Sequence, residues 1–199
     1  MSRWTSAIAA AVLAAVAMSG GAAPAAAAAE TRTAIFAGGC FWCVEDAFDK
    51  VDGVTETVSG YAGGTKPNPT YGNHEGYQEA VKVTYDPAKV TYAKLLDTYW
   101  HNIDPFDANG QFCDQGNAYR GVIFYGSDEE KGLADSTKQQ VADRFKEAVV
   151  TEIKPTTTFT DAEDYHQNYH NTNPVSYKFY KWNCGRAQRL EQLWGPKPS

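Results

Sequence analysis

The sequence predicts a single α/β (α+β) domain. Three observations predict this class: short segments in which apolar and polar residues alternate, apolar residues at helical spacing between them, and a regular order of the two patterns. That order is strand, helix, strand, strand, helix, strand, which is the order of a split βαβ, ferredoxin-like sandwich. We expect this sandwich to be followed by an irregular C-terminal extension.

The first 29 residues have the composition of a secretory signal peptide. Arg3 is their only charged residue, 7–18 is apolar, and a run of alanines precedes Glu30. Because this stretch is shorter than the roughly 20 apolar residues that span a bilayer, the sequence favours cleavage after export over a membrane anchor. We therefore expect a mature domain at 30–199, no membrane attachment after cleavage, and a periplasmic rather than a secreted location.

The first half of the domain alternates strand and helix patterns. A β-like run at 33–37 precedes a segment, 41–51, with its apolar residues on one helical face. Strand patterns follow at 54–59 and 79–85. The polar loop between them, 65–77, is too long for a simple connection, which is typical of a loop that carries function.

The second half begins with a helical pattern at 90–103 and a strand at 119–125, followed by the longest helix at 128–149. An edge strand is expected at 150–153. The chain after Phe159 is polar and aromatic, and we expect it to wrap the core without regular structure.

The charge of the mature chain excludes several classes of partner. Without Arg3 it has 17 basic against 24 acidic residues, which gives a net charge of −7 with histidine neutral. An acidic protein has no electrostatic attraction for nucleic acid or for an anionic membrane. Aromatic residues make up 13% of the chain, many of them in polar, glycine-rich surroundings, which favours a small-molecule pocket. A monomer is the default expectation.

The chain has four cysteines, which in an exported protein usually form two structural disulfides. Cys40 and Cys43, however, form a C-x-x-C pair, whose loop is too short to stabilise a fold, so redox or metal chemistry is indicated. A zinc site needs a second pair of ligands, whereas Cys113 and Cys184 are isolated from each other. His166 is not followed by the glutamate of a zinc protease, and no histidine follows Cys43 to suit a c-type haem. We expect no metal and no bound organic cofactor.

Cys40 has the sequence position expected of a reactive thiol. It follows Gly38 and Gly39 at a turn from strand to helix, where paired glycines let the backbone turn sharply and leave the sulfur open to a ligand. A helix N-terminus stabilises a thiolate through its unpaired N–H groups and its macrodipole. The neighbouring Phe41 and Trp42 are placed to line a pocket.

Two functions are compatible with these residues taken alone. C-x-x-C at a helix start is typical of thioredoxin-like enzymes, which would use Cys40 and Cys43 on protein disulfides. The other function is a non-enzymatic binding module with Phe41, Trp42 and Tyr71 as its pocket. The first predicts activity on disulfide substrates, and the second predicts paired cysteines that are inert to alkylation.

An ordered series of motifs points to a third function. The segments GGCFWCVE, SGYAGG, PNPTYG, EAVKVTYDP, YWHNIDPFD and CDQGNAYRGVIFY follow one another between about Ala34 and Trp194. This series resembles the peptide methionine sulfoxide reductase A family over nearly the whole mature chain, and its order makes it highly specific. The resemblance implies an enzyme that reduces methionine sulfoxide, free or in proteins, with selectivity for the S epimer.

The resemblance also implies roles for individual residues. Cys40 matches the family's nucleophile, and Phe41 and Trp42 match the aromatic residues that hold the substrate methyl group. Glu79, at the start of the strand after the polar loop, matches the family's acid. The residues that match its assisting tyrosines and aspartate are Tyr71, Tyr119 and Asp114.

These roles define an expected reaction. The Cys40 thiolate attacks the sulfoxide sulfur while protonated Glu79 neutralises the oxygen. Such a carboxyl needs a raised pKa, which burial beside aromatic residues provides. Cys40 becomes a sulfenic acid, a second cysteine condenses with it to a disulfide, and a thioredoxin-like electron donor resets the enzyme.

The second, resolving cysteine is left open. Many family members have glycine at the position of Cys43 and carry recycling cysteines in a flexible, glycine-rich tail, whereas the segment around Cys184 has helical character. Cys43 lies on the first helical turn, close to Cys40, and is our expected resolving cysteine. Cys184 and Cys113 are the alternatives, and a structural Cys113–Cys184 bridge is a further one.

Overall fold

A computed structural model of the chain describes Met1 and residues 30–196. Apart from Met1, the signal peptide expected at 1–29 lies outside the described residues. The elements are, in chain order, β1 (Arg32–Ala37), α1 (Phe41–Phe48), β2 (Val54–Ala62), β3 (Gln78–Tyr85), α2 (Tyr92–Trp100), β4 (Gly110–Gln111), β5 (Asp114–Gln115), β6 (Val122–Tyr125), α3 (Asp128–Phe145), β7 (Glu152–Pro155), β8 (Phe159–Asp161), α4 (Tyr169–Thr172), α5 (Pro174–Asn183) and α6 (Arg186–Trp194).

Six strands form one mixed sheet in the order β7-β6-β1-β3-β2-β8, and β4 and β5 form a small separate hairpin. Only the β6–β7 pair of the large sheet is parallel. β1 and β2, which α1 connects, run in the same direction on either side of β3, as a split βαβ arrangement requires. The α/β class is therefore confirmed. The ferredoxin-like designation stays a prediction, because β7 and β8 extend the sheet beyond four strands.

Both faces of the sheet are apolar, which explains the continuous hydrophobic character of β1. Phe36 is fully buried in the large core between the sheet and helices α1 to α3. Its neighbours Ile35 and Ala37 point to the opposite face, where they pack with Val122 and Phe124 in a smaller cluster. The sheet is thus a rigid, two-sided support for the turn that follows β1.

Several elements are shorter than their sequence patterns. α3 ends where Lys146 adopts a left-handed conformation, φ 56°, so the helix does not reach residue 149. The strand expected at 119–125 is β6, because Asn117–Tyr119 forms a 3₁₀ turn. The expected edge strand is confirmed as β7, displaced by two residues. Among the described helices, none has the length and apolar character needed to cross a membrane.

The C-terminal extension differs from the irregular segment that we expected, since it contains β8 and helices α4, α5 and α6. These elements are short and interrupted: Pro174 opens α5, and Gly185, at φ +65°, separates α5 from α6. None of the three helices described in this extension therefore runs longer than ten residues, which makes their helical spacing hard to recognise in the sequence. The extension does wrap the core, and Tyr177 donates a hydrogen bond to Asp46 of α1 at 2.8 Å.

The turn between β1 and α1 requires its two glycines. Gly39 has φ +85°, and a Cβ there would lie 2.6 Å from the Cβ of Gln111. A Cβ on Gly38 would lie 2.8 Å from the Cγ2 of Ile103. The backbone at this turn therefore approaches its neighbours more closely than any side chain permits.

Gly39→Ala is expected to destabilise the protein by at least roughly 1–3 kcal/mol, because it adds backbone strain to a steric clash. Urea unfolding of the two proteins measures this difference. Gly72→Ala is the matched control, since nothing lies within 4 Å of a Cβ at Gly72 and its φ is not positive. Equal unfolding free energies for the two variants would contradict the constraint on this turn.

Candidate active site

The site is organised around two thiols at the start of α1. Cys40 is the N-cap residue, and its carbonyl accepts hydrogen bonds from the N–H groups of Cys43 at 3.0 Å and Val44 at 3.4 Å. The Cys40 and Cys43 thiols are free and buried, and each acts on the pKa of the other. The expected position of Cys40, at a turn from strand to helix, is confirmed.

The surroundings of the two thiols shift their pKa values in opposite directions. Burial raises the pKa of Cys40 well above its ordinary value, and the hydrogen bond to Cys43 raises it further. The pKa of Cys43 is lowered to about 6, first by the hydrogen bond from Cys40 and then, against the effect of burial, by the charges of Arg186 and Lys181. The surroundings of Cys40 therefore favour its thiol form, and those of Cys43 favour a thiolate. Stabilisation of a Cys40 thiolate by the helix terminus stays a prediction.

A buried carboxyl lies beside the thiols. Glu79, at the start of β3, is 2% exposed, and its Oε2 accepts a hydrogen bond from the backbone N–H of Phe41 at 3.1 Å. Burial raises its pKa to about 8, and the negative charges of Asp114 and Cys43 contribute in the same direction. Hydrogen bonds from Phe41 and Tyr119 partly offset this rise. At neutral pH the Glu79 carboxyl is mainly protonated, as an acid in this position must be.

The structure brings the other expected residues to the same place. The Tyr119 hydroxyl acts on the Glu79 carboxyl and lowers its pKa. Asp114, on β5, is half-buried and accepts a hydrogen bond from Tyr180. Tyr71 lies in the 65–77 loop and is 43% exposed. Its pKa is raised first by partial burial and then by the nearby acidic groups Glu79, Cys40 and Asp114. The long polar loop thus does contribute a side chain to the site.

The two aromatic residues after Cys40 have unequal positions. Phe41 is 1% exposed, with its ring 4.9 Å from that of His166, so it forms the floor of the site. Trp42 is half-buried and stacks on Tyr169 with ring centroids 3.8 Å apart. Its Nε1 donates a hydrogen bond to Nδ1 of His166 at 3.2 Å. Trp42 is therefore the more accessible of the two and is fixed in one orientation.

Sequence reasoning missed the side chains that the C-terminal extension contributes. His166 was considered only as a metal ligand, yet its ring contacts Phe41, Trp42 and Tyr71. Tyr180 lies within hydrogen-bond reach of Cys40 while it binds Asp114. The unusual density of aromatic residues in the tail was the only sequence signal for these contacts.

Cys113 and Cys184 form a disulfide, so the alternative of a bridge between them is the one that the structure shows. This bridge ties the β4–β5 hairpin to the end of α5 and keeps Asp114 beside Tyr180. The sulfurs and an Asp114 carboxylate oxygen lie within 4.8 Å of one another, which is the one candidate metal-ligand group among the described residues. Because its sulfurs are bonded to each other, this group does not offer a metal the free thiolates of a zinc site.

A protonated carboxyl, a hydrogen-bonded thiol pair and an aromatic floor together define a class of protein. Paired thiols with shifted pKa values are suited to two-electron chemistry at sulfur, in which one sulfur is oxidised and the other then forms a disulfide with it. The site is therefore that of a thiol-dependent oxidoreductase.

Comparison with known proteins identifies the family. The family model described as "Peptide methionine sulfoxide reductase" matches residues 32–198. The chain is 45% identical over 170 residues to peptide methionine sulfoxide reductase MsrA of Bacillus subtilis, covering 82% of this chain and 96% of the relative. It is 46% identical over 187 residues to MsrA 2 of Caulobacter vibrioides, covering 92% and 95%.

A solved structure supports the same assignment. Mxr1 from Saccharomyces cerevisiae in its reduced form aligns with a TM-score of 0.68 and 30% identity, covering 73% of this chain and 87% of that chain. The chain belongs to the peptide methionine sulfoxide reductase family.

Titration of the reduced protein is expected to reveal one thiolate with a midpoint near pH 6, because Cys43 carries the charge of the pair. Absorbance at a wavelength where thiolates absorb and thiols do not measures it. Cys43→Ser should abolish this titration, and Cys40→Ala should move it to higher pH, because alanine cannot donate the main hydrogen bond to the thiolate. A midpoint near pH 6 that survives in Cys43→Ser would place the charge on Cys40 instead.

Proposed function

We propose that this enzyme reduces methionine sulfoxide of the S epimer, free or in proteins, with Cys40 as nucleophile and Cys43 as resolving cysteine. The observation that carries the proposal is the contact of α1 with β3, which places a protonated Glu79 beside the buried thiol pair, with its Oε2 3.1 Å from the N–H of Phe41. A sulfoxide differs from a thioether by one polar S–O bond, so its reduction needs both a nucleophile for sulfur and a proton for oxygen.

Substrate recognition follows from the same geometry. Phe41 and Trp42 provide apolar surface for the S-methyl group, and Trp42 is held in place by His166. Glu79 and the hydroxyl of Tyr119 are the donors for the sulfoxide oxygen, with Tyr71 at the entrance. A small number of donors in an apolar pocket is the usual composition of a small-molecule site.

The first chemical step uses the two thiols and the carboxyl together. Cys40 attacks the sulfoxide sulfur and passes its proton to the Cys43 thiolate, which already accepts the hydrogen bond from Cys40. Glu79 donates its proton to the oxygen. The substrate sulfur is reduced by two electrons and leaves as methionine, and Cys40 takes the oxygen as a sulfenic acid.

The second step closes the disulfide, and Glu79 takes up a proton from solvent to become an acid again. The thiol of Cys43 attacks the sulfenic sulfur of Cys40, a disulfide forms, and the oxygen leaves as water. The Cys113–Cys184 bridge supports Cys43 for this role, because it engages both alternative cysteines. A thioredoxin-like donor then reduces the Cys40–Cys43 disulfide by thiol exchange.

Asp114 and the tyrosines act on the proton of Glu79. The charge of Asp114 raises the pKa of Glu79, whereas the Tyr119 hydrogen bond lowers it, so the two residues adjust the acid in opposite directions. Tyr180 holds Asp114 in place. Asp114 therefore keeps Glu79 protonated at neutral pH, in addition to the larger effect of burial.

The alanine-rich leader supports an exported enzyme of residues 30–199 that acts in the periplasm on oxidised methionine. A monomer is the default proposal for its assembly. An oxidising compartment suits the Cys113–Cys184 disulfide, because disulfides persist there and are rare in reducing compartments. The function is then repair of oxidative damage to exported proteins.

Single-turnover reduction of a methionine-S-sulfoxide peptide tests this function. Enzyme with reduced Cys40 and Cys43, and with no electron donor present, should form about one methionine per molecule and lose two thiols. Cys40→Ser should form none, Cys43→Ser should form methionine without the intramolecular disulfide, and Cys184→Ser should behave as the wild type does. Absence of methionine together with activity on protein disulfides would instead establish the thioredoxin-like function.

The pH dependence of kcat/KM tests the two charges. Cys43 must be deprotonated and Glu79 protonated, so the rate should rise through about pH 6 and fall through about pH 8. Glu79→Gln should lower the rate roughly 10²–10⁴-fold, because it removes general-acid catalysis. Asp114→Asn should move the alkaline limb to lower pH, since it removes the repulsion that raises the pKa of Glu79.

Glu75→Gln is the matched control for this profile, because Glu75 is an exposed loop carboxylate bound to Lys66. Its profile should be unchanged. An alkaline limb that stays in place in Asp114→Asn would show that Asp114 does not act through the proton of Glu79.

A further inference from the structure

The thiol pair is also approached from a side that the substrate pocket does not use. A cavity of about 640 Å³ lies between the end of α2 and helices α5 and α6, and Cys43 forms part of its wall. Its described lining includes neither Cys40 nor Phe41 nor Glu79. The volume lies within the range of small-molecule sites, roughly 300–1,000 Å³. The cavity thus leads to one sulfur of the pair only.

The wall beside Cys43 carries two cations. Arg186 is 3% exposed, and its guanidinium donates to the carbonyls of Asn102 at 2.6 Å and Gly38 at 3.2 Å. Among the described residues, no carboxylate lies within ion-pair distance of it. Lys181 is the second cation, and it is bound to Asp46 at 2.7 Å. A buried guanidinium stays charged, so Arg186 favours an anion in this cavity.

The other charged groups of the wall are mostly paired. Asp97 forms ion pairs with Lys94 at 2.7 Å and His101 at 3.1 Å. Glu191 is the other acidic residue of the wall, and its negative charge works against the attraction of Arg186 for an anion. Besides these cations, the groups that act on the charge of Cys43 include Cys40, the hydroxyl of Tyr177 and the carboxyl of Glu79. Leu190 and Trp194 add apolar surface.

Thiol–disulfide exchange constrains the direction of attack. A thiolate attacks a disulfide sulfur on the side opposite the leaving sulfur. In a Cys40–Cys43 disulfide, an attacker on Cys43 must therefore arrive from the side away from Cys40, and the cavity is lined by Cys43 and not by Cys40. Cys43 is 3% exposed and lines the cavity. A small thiol that enters the cavity can therefore reach Cys43, whereas a protein donor is too large to enter.

We propose that this cavity binds a low-molecular-weight thiol with an anionic group, which reduces the Cys40–Cys43 disulfide by attack on Cys43. The inference rests on the proposed function, because that function assigns this disulfide. It adds a second recycling route to the protein donor.

The exchange balances in two steps. The thiolate of the first small thiol forms a mixed disulfide with Cys43, and Cys40 leaves as a thiolate and takes up a proton. A second small thiolate then attacks the small-thiol sulfur of the mixed disulfide, and Cys43 leaves as the thiolate that Arg186 and Lys181 stabilise. Two small thiols become one small disulfide, and the protein disulfide is reduced.

Access to Cys43 is tested first, without turnover. In Cys40→Ser, with the Cys113–Cys184 bridge intact, iodoacetate and iodoacetamide should both modify Cys43, which mass spectrometry detects. The ratio of iodoacetate to iodoacetamide rates should exceed that of an exposed thiol, because the wall cations favour the anion. Adding Ala187→Trp, which fills the cavity from an exposed position of α6, should slow both reactions at least tenfold.

Gln188→Trp is the matched control, since Gln188 is the next exposed residue of the same helix and does not line the cavity. It should leave alkylation unchanged. Equal alkylation rates in the Ala187→Trp and Gln188→Trp proteins would overturn the site.

Recycling is tested next, on enzyme oxidised by one turnover. 2-Mercaptoethanesulfonate should reduce it faster than cysteamine at equal thiolate concentration, and Ala187→Trp should slow both at least tenfold while first-turnover methionine formation stays unchanged. Glu191→Gln, an exposed substitution that leaves the cavity open, should raise the rate with 2-mercaptoethanesulfonate severalfold.

Reduction by a thioredoxin-like protein alone would overturn the inference. Absence of a Cys40–Cys43 disulfide after turnover would overturn the proposed resolving cysteine instead, and the alkylation result would still stand.

Discussion

The hydrogen bond from the backbone N–H of Phe41 to Glu79 is the contact on which the site depends. It joins the first turn of α1 to the start of β3, and it holds a carboxyl in a place where water does not solvate it. The same burial raises the pKa of Glu79 and that of Cys40. One packing constraint therefore prepares both the acid and the nucleophile, and the close glycine turn at Gly39 makes that packing sterically feasible.

The C-terminal extension supplies the other half of the site. His166 fixes Trp42, Tyr180 connects Asp114 with the neighbourhood of Cys40, and Arg186 binds the carbonyl of Gly38 in the turn before the nucleophile. Its short helices bury little apolar surface of their own, so these polar contacts and the Cys113–Cys184 disulfide hold it against α1 and the β4–β5 hairpin. The extension is thus a functional wall of the pocket.

Two thiols three residues apart have different chemical tasks because their surroundings differ. Cys40 is enclosed by uncharged and acidic groups, which favour its protonated form. Cys43, one helical turn further on, contacts the cavity wall that carries Lys181 and Arg186. In the reaction and the recycling route that we propose, substrate meets Cys40 and the small-thiol reductant meets Cys43. In that reaction Cys43 is also the acceptor for the proton of Cys40.

The sequence by itself determined the order of the main strands and helices and the strand-to-helix turn at the GGCFWCVE motif. Alternation, helical spacing and glycine turns are local properties, so they can be recognised without the fold. It also named Glu79, which is buried in the structure and accepts a hydrogen bond from the residue that follows Cys40. Only the tertiary structure decided that the extension is helical, that His166 meets Trp42 across 124 positions of sequence, and that Arg186 and Lys181 act on Cys43. These features depend on long-range contacts and on desolvation, which do not exist until the chain has packed.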